Sequence, residues 1–180
     1  FSFPSPVMKV AFLDRDGTLV KSVLRNGQLE APLSLAEFEI VKDAPSAVTS
    51  FKKLGYLCIV ISNQPDISLG RINQAEIELM NQKLLALLAL DDIYICPHSH
   101  LENCECQKPK IGLFLKAIKE WEIDPKISFM IGDLDTDIQA AKNVGWRSIL
   151  ITGEGDSGLT ESDFYVTSLT EAVQVVAQND

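Results

Sequence analysis

The chain has no apolar run of the roughly 18 residues that a membrane-spanning helix needs, so no span is expected. Nor does it have a basic stripe. Its 16 Lys and Arg stand against 25 Asp and Glu, for a net charge of −9, which excludes general binding to nucleic-acid phosphates. An anionic substrate would then need a cation or a few well-placed Lys and Arg at its site. No basic segment followed by an apolar one opens the sequence. A secretory signal is therefore not read there, and the cytoplasm is the expected compartment. Phe1–Val7, which carries two prolines, reads as an extension ahead of a native start at Met8. Internal repeats, low-complexity tracts and linkers are also missing. What is present, 180 residues of which 46% are hydrophobic, suits one globular domain over residues 1–180.

Cysteine is scarce, and three of the four cluster at Cys96, Cys104 and Cys106. Cys58 lies in the apolar run Leu57–Ile61 and reads as a small core residue. Without a secretion signal, disulfides are not expected. Cys96-Pro97-His98 and Cys104-Glu105-Cys106 offer four soft ligands on one loop, enough to close a tetrahedral Zn²⁺ site. The plainer alternative is a set of unligated thiols. His100 is a spare ligand, but the Cys-x-His spacing favours His98. Such a closed site is structural, and it would pin the loop that carries Lys108, two residues beyond Cys106.

Apolar runs alternate with helical patterns. Val10–Leu13, Leu57–Ile61, Ile93–Ile95, Phe129–Ile131 and Ile149–Ile151 are continuous rather than alternating, as in strands covered on both faces. Helices are expected over Ala44–Leu54, Asn73–Leu90, Ile111–Trp121, Thr136–Val144 and Leu169–Ala177. The alternation implies an α/β fold, a Rossmann-like three-layer sandwich around a parallel sheet. Lys21–Glu39 fits no period and reads as a hairpin-like flap, and Gly153–Gly158 as a surface turn. The segments between motifs are too short for a large cap domain.

Three strands end in polar chemistry. The first runs into Asp14-Arg15-Asp16-Gly17-Thr18, the second into Ser62-Asn63, and a later one into Gly132-Asp133, with Asp137 four residues on. Any one of these could be an ordinary cap or turn. Together on the carboxyl edge of one sheet, with Lys108 available, they form a site. Its chemistry is phosphoryl transfer. Asp14 would attack phosphorus, and Asp16 would protonate the leaving alcohol and later activate water. Asp14, Asp133 and the backbone carbonyl of Asp16 would hold Mg²⁺, with Asp137 orienting the site from behind. Ser62, with Asn63 beside it, and Lys108 would bind the phosphate oxygens.

Asp-x-Asp-Gly-Thr, the strand-end Ser-Asn, a lysine and Gly-Asp-x-x-x-Asp, in that order, resemble the four motifs of the haloacid-dehalogenase-like phosphatase superfamily. The resemblance covers nearly the whole chain. It implies a Rossmann-like sheet, Mg²⁺ dependence and Asp14 as nucleophile. The cysteine loop followed by Lys108-Pro109 resembles the zinc-containing branch with D-glycero-D-manno-heptose bisphosphate and histidinol-phosphate phosphatases. Ser62-Asn63-Gln64, then Ile67 and Gly70-Arg71, is nearer the heptose pattern; the short zinc loop is shared with histidinol-phosphate enzymes. Those families usually have Arg before the lysine, where Gln107 stands, and often Arg or Lys after Gly-Asp, where Leu134 stands. Lys110 and Arg71 could compensate, although both read as surface charges. The expectation is a monomeric, cytoplasmic, Mg²⁺-dependent phosphatase of a small phosphorylated metabolite. A histidinol-phosphate phosphatase and a non-catalytic binding protein on the same fold are the alternatives.

Overall fold

Strand β1 is Val10–Leu13, and all four of its residues are buried. In the computed structural model, which describes residues 7–153 and 161–180, β1 lies inside a six-stranded parallel sheet. The other strands are β4 (Leu57–Asn63), β5 (Asp92–Cys96), β6 (Phe129–Gly132), β7 (Arg147–Ile151) and β8 (Phe164–Val166), in the order β5-β4-β1-β6-β7-β8. A separate antiparallel hairpin pairs β2 (Val23–Arg25) with β3 (Gln28–Glu30), within the expected flap. Most of Phe1–Val7 and of Gly153–Gly158 lies outside the described residues.

The helices are α1 (Ala44–Lys53), α2 (Pro65–Ser68), α3 (Gln74–Leu87), α4 (Gly112–Trp121), α5 (Asp135–Val144) and α6 (Leu169–Gln178). Asn73 caps α3 by accepting the Glu76 N–H, and Gly145 ends α5 in the left-handed conformation at φ 86°. The single turn α2 has too few residues to show a period.

Alternation along β1 divides the core. Ala11 and Leu13 face α1, α3 and α6, among them Val48, Phe51, Met80 and Val176. Val10 and Phe12 face α4 and α5, where Phe12 stacks on Trp146 at 4.4 Å and meets Phe114 edge-on. Burying Phe12 there contributes about 2–3 kcal/mol. The result is the expected three-layer sandwich, with no insertion large enough for a cap domain among the described residues. Its three central strands, β4, β1 and β6, all point their carboxyl ends the same way.

Candidate active site

Because β1 lies between β4 and β6, their carboxyl ends bring Asp14, Ser62 and Asp133 to one edge. Asp14 is fixed there by its N–H, which donates to the Ile131 carbonyl at 3.0 Å. Oxygens of Asp14, Asp133 and Asp137 all lie within 4.8 Å of one another. Lys108 reaches into this group from the loop after the cysteines. Its Nζ donates to Asp14 Oδ1 at 2.9 Å, to Asp137 Oδ1 at 2.6 Å and to the Ile61 carbonyl at 2.8 Å.

Two glycines make room for the carboxylates. A Cβ on Gly17, whose φ is +85°, would lie 2.1 Å from Asp133 Oδ2, and one on Gly132 would lie 2.2 Å from Asp137 Oδ2. Burial pushes Asp133 up to about 8, with the charges of Asp14 and Asp137 adding to it. Burial, then Asp14, raises Asp137 to about 6 against the pull of Lys108. For Lys108 burial favours the neutral form, but Asp137 and Asp14 outweigh it and hold the ammonium charged. One oxygen, Asp133 Oδ1, is buried without a partner. A set of clustered carboxylates with an unsatisfied oxygen fits a hard divalent cation such as Mg²⁺. A cleft of about 550 Å³, lined by Gly17, Thr18, Asp133, Leu29 of the hairpin and Thr152, adjoins the cluster.

Asp16 faces elsewhere. Both its oxygens accept from Arg15 Nε, at 3.1 and 3.2 Å, and Oδ2 also accepts from Gln64 Nε2 at 2.6 Å. Gln64 Nε2 donates in addition to Ser62 Oγ at 2.8 Å. Burial raises the Asp16 carboxyl, Arg15 opposes this, and Asp14 adds to it. Arg15 and Gln64 are both buried; the sequence names them only as members of motifs, with no role of their own. The signal for Arg15 was charge: two aspartates entering one small site call for a nearby cation. Asn63, expected at the phosphate, instead directs its carboxamide to the backbone of Lys108.

The cysteine loop assembles as its spacing suggests. Cys96 Sγ lies 3.5 Å from Cys104 Sγ and 3.0 Å from Cys106 Sγ, and His98 Nδ1 lies 3.2 Å from Cys106 Sγ. His100 is outside the cluster, in a short 3₁₀ turn. Burial raises Cys96; burial also works to raise Cys104, but hydrogen bonds from the Cys106 backbone, the Cys106 and Cys96 thiols and the Gln107 backbone together outweigh it and bring Cys104 down to about 7. Three thiols and one imidazole within reach of one point fit Zn²⁺. Gln107 Nε2 donates to the His98 carbonyl, while Leu134 is 55% exposed. Neither Arg71 nor Lys110 is a free surface charge: Arg71 pairs with Asp66 and Glu30, and Lys110 donates to the Cys104 carbonyl.

A parallel sheet with an aspartate cluster and a lysine on its carboxyl edge defines a class, the Rossmann-like phosphohydrolases. Comparison with known proteins narrows the class. Residues 105–172 match the HAD-hydrolase-like family. The D-glycero-beta-D-manno-heptose-1,7-bisphosphate 7-phosphatase of Pasteurella multocida is 30% identical over 183 residues, covering 93% of this chain and 96% of that protein. The histidine biosynthesis bifunctional protein HisB of Campylobacter jejuni is 34% identical over 146 residues, covering 78% of this chain. The chain spans 41% of that protein's length. Among solved structures, the D,D-heptose 1,7-bisphosphate phosphatase of B. bronchiseptica, complexed with magnesium and phosphate, superposes with a TM-score of 0.82. It is 24% identical, and the match covers 96% of this chain and all of that one, which speaks to the fold. The chain belongs to the haloacid-dehalogenase-like phosphatases, on the branch that resembles the heptose bisphosphate and histidinol-phosphate enzymes.

Proposed function

We propose that the chain hydrolyses a small sugar phosphate of the heptose bisphosphate type through an aspartyl-phosphate on Asp14. The carrying observation is the contact between Lys108 Nζ and Asp14 Oδ1 at 2.9 Å, on the edge shared with Asp133 and Asp137. A buried cation beside a carboxylate, at the end of a central strand, is what an anionic substrate and an anionic nucleophile need in common. The near full-length match to the heptose-type relative, against a partial one to HisB, supports the sugar phosphate.

In the proposed mechanism an Asp14 oxygen attacks phosphorus in line with the ester oxygen. Asp16 gives its proton to the departing alkoxide, and the upward shift of its pKa by burial, which keeps the carboxyl protonated longer, suits that role. To reach the ester it must exchange part of its contact with Arg15 and Gln64. Asp16 then takes a proton from water, which attacks the phosphorus and releases Asp14. Ser62 Oγ and Lys108 Nζ hold the phosphoryl oxygens. Asp14, Asp133 and the Asp16 backbone carbonyl would hold Mg²⁺, with Asp137 behind; its charge would offset the repulsion between carboxylate and phosphate. Cys96, His98, Cys104 and Cys106 would hold Zn²⁺, which would steady the loop before Lys108.

Histidinol phosphate is the second reading, favoured by the 34% identity to HisB relatives. Phosphate release from a panel of sugar monophosphates, bisphosphates and histidinol phosphate, with and without Mg²⁺, separates the two. Turnover of a heptose bisphosphate above the others supports the proposal. Preferential turnover of histidinol phosphate, or none of any compound, overturns it. We also infer a monomer in the cytoplasm.

A further inference from the structure

At the end of β4 a single carboxamide is spent wholly on one residue. Asn63 Oδ1 accepts the Lys108 N–H at 2.9 Å, and Asn63 Nδ2 donates to the Lys108 carbonyl at 3.1 Å. A primary amide matched to both polar groups of one residue fixes that residue's position and orientation, much as a neighbouring strand would. Pro109 follows and has no N–H, so the chain has one backbone anchor fewer just beyond Lys108. The anchor itself is firm. Asn63 is the last residue of β4, in register with Cys96 of β5, the first member of the cysteine cluster.

The side chain leaving the clamped residue is 2% exposed, and its three ammonium donors reach Asp14, Asp137 and the Ile61 carbonyl. That geometry tolerates little displacement of the Lys108 backbone. Neighbouring strand residues point to opposite sides, and here Ser62 Oγ meets Gln64 while Asn63 meets Lys108. Of the pair, only Asn63 is engaged with Lys108.

We propose that Asn63 is a positioning residue: it holds the peptide of Lys108 so that the ammonium stands at the nucleophile, and it does not itself touch the phosphate. This rests on the reading of Lys108 as the phosphate-binding cation. A double-mutant cycle tests it. Asn63→Ala should lower kcat/KM about 100-fold, the cost of misplacing a charge by about 1 Å. In a Lys108→Met background the same change should alter the residual rate, and the affinity for inorganic phosphate, less than about twofold. An undiminished loss in that background would mean that Asn63 acts on phosphate directly, and would overturn the proposal.

A second measurement needs no variant and no turnover. Amide hydrogen exchange on the unmutated protein should show the Lys108 N–H protected, and an unprotected one would also overturn the clamp. If the protein hydrolyses no phosphate ester, the proposed function fails. A Lys108 N–H that is protected in the parent and exposed in Asn63→Ala would still establish the clamp.

Discussion

The carboxylate of Asp133 occupies the space that a side chain on residue 17 would need: a Cβ on Gly17 would lie 2.1 Å from Asp133 Oδ2. The glycine of the Asp-x-Asp-Gly-Thr turn therefore does two things. It takes a φ of +85°, and it lets a carboxylate from β6 approach the turn that follows β1.

Gly17→Ala should consequently damage the site more than the fold. The left-handed backbone costs an alanine about 1–2 kcal/mol. The clash displaces Asp133 from Asp14, which should lower kcat/KM by about 100-fold. Urea unfolding beside steady-state kinetics separates the two losses. A variant with full activity would show that the position of Asp133 does not matter to the reaction.

Asp14→Asn keeps the volume of the side chain and removes its nucleophilic oxygen. Turnover should fall by at least about 10⁴-fold, as for removal of a nucleophile elsewhere. Stability should change little, because an amide oxygen can still accept from Lys108 Nζ. Rates within tenfold of the parent would exclude attack by Asp14.

Much of this was legible in the sequence because it lay in continuous apolar runs and in short-range spacing. β1, β4, β6 and β7 are covered on both faces, so each showed as an uninterrupted run. Strand β8 did not. It is a three-residue edge strand whose Tyr165 is 51% exposed, so no buried run marks it. The four clustered residues of the cysteine loop and the strand-end aspartates were visible as residue types. The directions of Asp16, Asn63 and Gln64 were not, because each depends on partners distant in sequence. Gln64 meets Asp16 across 48 residues and Asn63 meets Lys108 across 45.

The protein stripped of divalent metal should lose stability as pH rises. Asp133 and Asp137 have folded-state values raised from 3.8 to about 8 and about 6. A carboxyl raised on folding binds its proton more tightly in the folded chain. Its contribution is complete below the unfolded value and is lost as pH passes through the folded one. The melting temperature of the stripped protein should therefore fall between about pH 4 and pH 8. Added Mg²⁺, which takes the ionised carboxylates, should raise it most at the upper end of that range. Thermal denaturation with and without Mg²⁺ at several pH values measures both trends; a Mg²⁺ effect larger at acid pH would contradict the assignment of the cluster.

Zinc removal should impair phosphate binding without touching the nucleophile. Cys106 is one of the four clustered side chains proposed to hold zinc, and Lys108 stands two residues further along the same loop. Loosening the loop leaves Asn63 as the remaining hold on the Lys108 peptide, so the ammonium is misplaced part of the time rather than lost. Metal analysis should find about one zinc per chain, as a closed four-ligand site requires. Chelation, or Cys104→Ser, should raise KM and weaken inorganic phosphate binding by about 10- to 100-fold, the usual scale for disturbing the support of a metal or its ligands. Added zinc should restore the chelated protein but not the Cys104→Ser variant. If activity is unchanged when the zinc is gone, the loop holds Lys108 without a metal, and the four ligands serve stability alone.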